Sequence, residues 1–484
     1  MTQTVSLPLW LFLLILLFAG VTFASHFLFP SVRWFFRRRL EKAVARLNTR
    51  LARPIEPFKL ARRRDTIQRV TYAPQVLAAV TAHAKAEGIP EEVAFEQARR
   101  YAREIVPGFS AFAYFGFAIR AAKWLATSLF RVRLARLDEA KLAAIPTDAT
   151  VVYVMNHRSN MDYVLVTYLV AQRTTLSYAV GEWARVWPLR TLIRAMGAYF
   201  IRRKSRGELY RTVLATYVGV ATRAHVTQAM FPEGRLSLTG APGEAKLGLL
   251  AYITEAAQDG TEVVFVPTAL NYDRVLEDRV LIAAQGGGGF PTRIRVVFRW
   301  LLRRLVLRVR GMSHHLGYAA VSFGDPLSLA SFPGDTEALG GELMRRIEAV
   351  MPVLPVPLLA TLLTEAEEPL SRAELERRWN ARIRQLEAAD VVLHVPRANP
   401  AYALENALRI LRDRNLLSET PEGIAVIREE AALFAFYAAS VAPQLAQVTD
   451  AADATLPRSR LLPADDAAAK YTAQADADPK SSET

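Results

Sequence analysis

The hydrophobic pattern changes period several times along the chain. Residues 7–30 form an apolar run without Asp, Glu, Lys or Arg. A run of that length suits one bilayer crossing, which takes roughly 20 residues. Trp10 and Trp34 stand near its two ends, where aromatic rings favour the membrane interface. No basic stretch precedes the run, and Arg33, Arg37, Arg38 and Arg39 follow it. The segment therefore reads as an uncleaved anchor rather than a signal peptide, with the body of the chain on the cytoplasmic side.

Residues up to about Arg136 read as helices broken near Pro54, Pro57, Pro90 and Pro107. The texture then changes. Residues 151–155, Val-Val-Tyr-Val-Met, form a short β-branched and aromatic run, the signature of a buried strand. Residues 263–266 and 319–323 repeat it. Residues 163–170, 209–224 and 246–257 carry helical patterns between these strands. Such alternation predicts an α/β domain, a mixed sheet flanked by helices. The four glycines 286–289 read as a flexible loop. Residues 293–310 hold seven Arg and no acid and read either as a helix lying in a membrane surface or as a core helix. Beyond Leu343 the chain turns helical, with a helix over 404–415 and a hairpin around Pro421-Glu422-Gly423. The tail from Val448, rich in Ala, Asp, Pro and Ser, predicts disorder. The expected division is an anchor over 1–30, a basic helical region over 31–135, a catalytic domain over 136–345, a helical region over 346–447 and a tail over 448–484.

Charge sharpens this picture. The 484 residues carry a formal net charge of +14. Residues 31–65 contain twelve Arg or Lys against three acids, which next to an anchor predicts contact with anionic membrane lipids. Helix plus hairpin near 404–426 resembles a winged nucleic-acid module, but acids balance bases there, so no nucleic-acid partner is expected. There is no cysteine, which excludes disulfides, thiolate metal sites and a cysteine acyl-enzyme. The seven histidines are scattered, and no metal or other cofactor is expected.

Four short segments carry candidate chemistry. In Asn156-His157-Arg158-Ser159-Asn160-Met161-Asp162-Tyr163 a His ends a strand and an Asp follows five positions later. A turn joining them would let the carboxylate orient the imidazole and raise its basicity. That is two parts of a hydrolase triad, with the third hydroxyl left to a substrate. Ser159 and Asp162 also fit a helix-capping pair. Arg202 and Arg203 follow an apolar run and can fork onto a phosphate, or lie as a surface pair. Phe231-Pro232-Glu233-Gly234-Arg235 is a rigid turn aiming Glu233 at a fixed point, or an ordinary β-turn. Val266-Pro267-Thr268 ends a strand, with Pro267 expected at an edge or terminus.

In this order the four segments resemble the conserved blocks of the glycerophospholipid acyltransferase superfamily, and most closely the membrane glycerol-3-phosphate acyltransferases. The resemblance spans about 151–443 and includes Phe323-Gly324-Asp325-Pro326-Leu327 and the helix over 432–443. It implies that His157, oriented by Asp162, is the catalytic base. It implies a substrate site formed by Arg158, Ser159, Arg202, Arg203, Glu233, Gly234, Arg235 and Pro267. The implied donor is acyl-CoA or acyl-ACP, the acceptor is the sn-1 hydroxyl of glycerol-3-phosphate, and backbone N–H groups near His157 hold the oxyanion. The implied place is the inner membrane, single-pass, with the domain in the cytoplasm. One departure stands out: the family's third block has an arginine directly before a serine, whereas here Leu236 precedes Ser237 and the arginine is Arg235. This keeps two alternatives open, an acyltransferase acting on 1-acylglycerol-3-phosphate and an inactive membrane-surface scaffold.

Overall fold

The computed structural model describes residues 8–20, 42, 44–46, 48–49, 51–170, 174–181, 189–202, 207–285 and 315–452. The glycine run 286–289, the arginine-rich segment 293–310, Arg203, the tail beyond 452 and most of the juxtamembrane basic run through residue 41 lie outside them. The chain divides into two units, one of residues 1–55 with 172–174, the other of 56–171 with 175–484. In the first, residues Leu9–Gly20 form an apolar helix whose side chains, Trp10, Leu14 and Phe18 among them, are exposed. Residues 21–30 of the expected anchor are outside the described set. Among the described residues no single helix is long and apolar enough to cross a membrane. The helices Arg428–Ala438 and Ala442–Val448 pass together by length and composition but meet at 67°, and Leu433, Phe434, Phe436 and Tyr437 of the first are buried in the core.

The second unit is built on a mixed sheet. Its strands are β1 (Arg131–Arg136), β2 (Thr150–Met155), β3 (Ser177–Val180), β4 (Tyr199–Phe200), β5 (Gln228–Met230), β6 (Val263–Tyr272), β7 (Tyr318–Phe323) and β8 (Leu327–Ser328). They lie in the order β1-β7-β6-β2-β5-β3-β4, with β8 also on β6. β2 runs parallel to β5 and β6, whereas β7 and β8 run antiparallel to β6. All of β2 and all ten residues of β6 are buried. Val151, Tyr153 and Met155 enter one apolar cluster, and Val152 and Val154 enter the other. Covering both faces explains why these strands read as unbroken apolar runs rather than alternating ones. Each buried valine contributes about 1.5–3 kcal/mol, well above the strand propensity it carries, a scale spanning only ~1 kcal/mol.

The helices Arg63–Thr71, Pro74–Glu87, Glu91–Ile105, Glu208–Arg223, Leu247–Ala257 and Thr336–Ala349 cover one face. Ile119–Leu129, Asp162–Val170, Pro355–Thr364, Arg372–Ala388, Pro400–Arg412 and Ala431–Ala438 cover the other. Pro57 and Pro74 open their helices, where the missing N–H costs nothing because first-turn donors have no intrahelical partner. The expected hairpin forms as β9 (Leu417–Thr420) against β10 (Gly423–Val426).

Two expectations are corrected. Residues Arg131–Arg136, read as the end of the helical region, form the edge strand β1 against β7. Its three arginines hid an edge strand, where charge is tolerated because one side is unpaired. Pro267, expected at an edge or terminus, stands inside β6, opposite Val154 of β2. On its other side β6 pairs with β8 at Val264 and Phe265 and with β7 from Thr268 onward. Pro267 falls at the change of neighbour, so its missing N–H breaks no ladder bond there, while its carbonyl accepts from Gly324 N at 2.8 Å.

Candidate active site

β2 ends at Met155, and the chain must turn before the helix Asp162–Val170. Asn156 ties the turn to β6: its Nδ2 donates to Leu270 O at 3.0 Å and its Oδ1 accepts from Leu270 N at 2.8 Å. The turn then closes around one carboxylate. Asp162 Oδ2 lies 2.9 Å from His157 Nδ1 and accepts from Arg158 N at 2.7 Å and Ser159 N at 3.0 Å. Its Oδ1 accepts from Tyr272 Oη at 2.5 Å. With three other donors converging on it, the carboxylate is fitted as an acceptor, so we assign the Nδ1 proton to His157, leaving Nε2 as the basic nitrogen. The acid at the helix start also caps the turn amides, so the orienting and the capping readings of Asp162 hold together.

His157 is 1% exposed. Its ring stacks on Phe231 with centroids 3.9 Å apart and meets Tyr163 edge-on at 5.6 Å. Its N–H donates to Glu233 Oε1 at 2.9 Å, and its carbonyl accepts from Ser237 N at 2.8 Å. The rigid turn thus brings Glu233 against the backbone of the histidine. Gly243 N donates to the other Glu233 oxygen at 3.0 Å. Burial nevertheless pushes the Glu233 carboxyl up to about 7, against the pull of these two amides. Gly234 has φ +66, and a Cβ there would sit 3.1 Å from Lys246 Cδ, so this turn requires glycine.

The amides next to His157 are all engaged. Those of 157, 158 and 159 go to Glu233 and Asp162, Asn160 N goes to Glu277 Oε1 at 3.3 Å, Met161 N to Ser159 Oγ at 3.2 Å and Asp162 N to Ser159 O at 3.0 Å. The expectation that these backbone donors wait for an oxyanion is not met in this state. A different donor stands close by. Arg158 is 1% exposed, gives one N–H to Gly240 O and lies 4.9 Å over the Phe436 ring. Its Nε and Nη2 are buried without a hydrogen-bond partner. A buried guanidinium with unmade bonds is costly unless a ligand completes it.

Two further buried carboxyls follow β6 in the chain. Glu277 accepts from Ser159 Oγ at 2.7 Å and Asn160 Nδ2 at 3.1 Å, and burial raises its carboxyl to about 6. Asp273 accepts from Tyr318 N at 2.7 Å and Val356 N at 2.9 Å, and burial raises it to about 7. Both are distant in sequence from His157, so only tertiary folding reveals them.

The other expected substrate residues are dispersed. Arg202 follows β4, three strands from β2. Its Nε and Nη2 reach the two oxygens of Glu104 at 2.8 and 2.6 Å, with Tyr101 and Tyr210 flanking at 5.3 and 5.8 Å. Arg235 is exposed, whereas Leu236 and Ser237 turn inward. Pro267 is a strand residue of β6 beside β2. Among the described residues no group of three or more His, Asp or Glu could hold a metal.

Fold and site together define an acyltransferase-type α/β domain with a His–Asp pair at the end of a central strand. Residues 136–271 match the family described as Acyltransferase, and residues 303–442 match the one described as Glycerol-3-phosphate acyltransferase C-terminal region. The chain thus carries an acyltransferase segment followed by a glycerol-3-phosphate acyltransferase C-terminal segment, and it is similar to glycerol-3-phosphate acyltransferases along most of its length. The glycerol-3-phosphate acyltransferase of Pseudomonas putida strain W619 is 26% identical over 400 residues, 76% of this chain and 46% of that protein. That of Xanthomonas campestris pv. campestris is 28% identical over 371 residues, 70% and 40%, and that of Aeromonas hydrophila 27% over 388 residues, 74% and 47%. The chain spans about half the length of these relatives. A solved structure, the 1-acyl-sn-glycerophosphate acyltransferase PlsC of Thermotoga maritima, is 19% identical and covers 49% of this chain and 78% of its own, with a TM-score of 0.30.

Proposed function

We propose that the chain is a glycerol-3-phosphate 1-O-acyltransferase using acyl-CoA or acyl-ACP, acting in phospholipid synthesis at the inner membrane. The observation that carries this reading is the 2.9 Å contact between His157 Nδ1 and a four-times-bonded Asp162 carboxylate. His157 Nε2 takes the proton of the sn-1 hydroxyl as that oxygen attacks the thioester carbonyl. The tetrahedral oxyanion collapses, the C–S bond breaks, and the imidazolium returns its proton to the leaving thiolate. Asp162 keeps the imidazole in one tautomer and stabilises its charged form. Arg158, with two unpartnered buried N–H groups, is suited to the developing oxyanion or to the acceptor phosphate. Glu233 and Ser159 position the turn and the glycerol. Arg202, and with it Arg203 and Arg235, supplies cationic donors for phosphate.

Membrane attachment is part of the same proposal. The exposed apolar helix Leu9–Gly20 is suited to a single-pass anchor, with the domain on the cytoplasmic side. Phe112, Phe117 and Trp124 are exposed on the segment before β1, Arg120 accompanies them, and no Asp or Glu lies between residues 105 and 137. Aromatic rings with cations and no acids suit an anionic lipid surface.

A second reading, 1-acylglycerol-3-phosphate as acceptor, is favoured by one observation, the exposed Arg235 with Leu236 in the inward place. The deciding experiment assays purified chain and His157→Gln with both acceptors and both donors. The primary reading expects transfer to glycerol-3-phosphate that is lost in the variant. Transfer to 1-acylglycerol-3-phosphate alone would establish the second reading. No transfer with any pair would overturn both.

A further inference from the structure

Three arginines away from His157 form a cationic cluster with no carboxylate paired to it among the described residues. Arg131 and Arg133 alternate along the edge strand β1, so both project from one face of the sheet. Arg131 Nη1 donates to Tyr402 Oη at 3.2 Å and to Tyr318 Oη at 3.4 Å. The guanidinium carbons of Arg131 and Arg133 lie 5.7 and 5.4 Å from the Tyr318 ring centre. Arg397 lies 4.3 Å over the Tyr402 ring. Among the described residues none of the three arginines forms an ion pair. Elsewhere in this part of the chain arginines are matched: Arg372 and Arg412 with Glu405, Arg382 with Glu365, and Arg414 with Asp278. The Asp273 carboxyl feels the Arg131 charge, but both of its oxygens are occupied by the amides of Tyr318 and Val356.

Two further observations point to a missing ligand. Arg133 Nε and His394 Nε2 are buried without hydrogen-bond partners, and His394 packs edge-on against Tyr318 at 4.7 Å. Burial and the neighbouring Arg133 hold that imidazole down to about 3, so it is neutral and able to donate or accept. In addition, Arg397 and Ala398 take left-handed backbone, φ 58 and 47. Two consecutive non-glycine residues in that region are strained, and strain of this kind persists where surrounding structure imposes it, often around a bound ligand.

We propose that Arg131, Arg133, Arg397, Tyr318, Tyr402 and His394 form a second anion site that takes a phosphate group. Forked guanidinium donors match phosphate oxygens, and tyrosine hydroxyls with a neutral imidazole complete a polar, half-exposed basin. The register Arg131↔Tyr318, with Ala319 opposite Tyr272, puts the cluster at the same end of the sheet as His157. It lies three strand steps across, about 14 Å at the usual spacing. A phosphate there could belong to the nucleotide handle of a thioester donor or to a lipid headgroup. The site is defined by binding and does not depend on the acyl-transfer reading.

The test uses full-length protein in detergent, titrated calorimetrically with adenosine 3′,5′-bisphosphate. In parallel, protein exchanged out of detergent is pelleted with phosphatidylcholine vesicles containing phosphatidylglycerol. The variants are R131Q/R133Q and, on an exposed loop that spares the sheet, R397Q. R384Q, exposed on another helix, controls for total charge. The proposal expects at least one probe to bind about tenfold more weakly in both cluster variants, the loss of a charge-assisted contact, with R384Q unchanged. Loss confined to the bisphosphate identifies a nucleotide handle, and loss confined to vesicles identifies a headgroup. Unchanged binding of both probes in R397Q and in folded R131Q/R133Q, or an equal loss in R384Q, would overturn it.

Discussion

Glu104 closes both of its carboxylate oxygens on Arg202, at 2.8 and 2.6 Å. Arg202 is the arginine expected to grip a phosphate, and in this state its fork is already filled by an internal anion. Under the proposed function glycerol-3-phosphate must compete with Glu104. Glu104→Gln weakens the competitor without removing its bulk, so KM for glycerol-3-phosphate should fall by about three- to tenfold with little change in kcat. Arg202→Lys loses the fork and should raise KM by about tenfold. Steady-state kinetics with varied acceptor checks both. If Glu104→Gln raised KM, the glutamate would be an organiser of Arg202 and not its occupant.

Under the proposed function, His157→Gln should lower kcat by about 10²–10⁴-fold, the usual contribution of a positioned general base. The domain should stay folded, because the turn amides are held by Asp162 and Glu233 rather than by the imidazole. Asp162→Asn should lower activity and also the melting temperature, since four donors converge on that carboxylate. Activity together with thermal denaturation separates the two roles.

The pH dependence of stability follows from the buried carboxyls. Glu277 is raised from 4.5 to about 6 and Glu233 to about 7, so between those values the folded chain binds protons that the unfolded chain has lost. Stability is therefore greatest below about pH 4.5 for these groups and declines as pH rises through the folded values. Glu277→Gln keeps an acceptor for Asn160 and allows the Ser159 hydroxyl to rotate. It should remove up to about 2 kcal/mol of this decline between pH 4.5 and 6. Melting curves across that range test it, and an unchanged slope would reject Glu277 as a contributor.

Gly240→Ala should be costly. Its φ is +94, and a Cβ would lie 1.8 Å from Phe436 O. The backbone of Phe436 would have to move, and with it the ring beneath Arg158. We expect a loss of about 2 kcal/mol or more and a weaker hold on the acceptor, read as a lower melting temperature and a raised KM.

The strand over 151–155, the helix after it and the His157–Asp162 spacing were legible because they are local: a run of five buried residues and a turn of five positions. The hairpin after the 400–412 helix was legible for the same reason. What escaped depends on distance in sequence. Glu277 meets Ser159 across 118 positions and Tyr272 meets Asp162 across 110, and no spacing rule reaches that far. β1 escaped because its arginines read as solvated helix, although an edge strand accepts them. Pro267 was misplaced because proline usually ends a central strand, and only the change of partner along β6 makes room for it. Glu104 stood in a region read simply as basic helices, so its capture of Arg202 had no local signal.

The stacking of His157 beneath Phe231 bears on fidelity. A thioester that reached an open imidazole would be as exposed to hydrolysis as to transfer. With one ring face covered by Phe231 and the side chain 1% exposed, bulk water has little access to the imidazole in this state. Under the proposed function, this seclusion would let the two reactants uncover the base together and would spare the donor from wasteful cleavage.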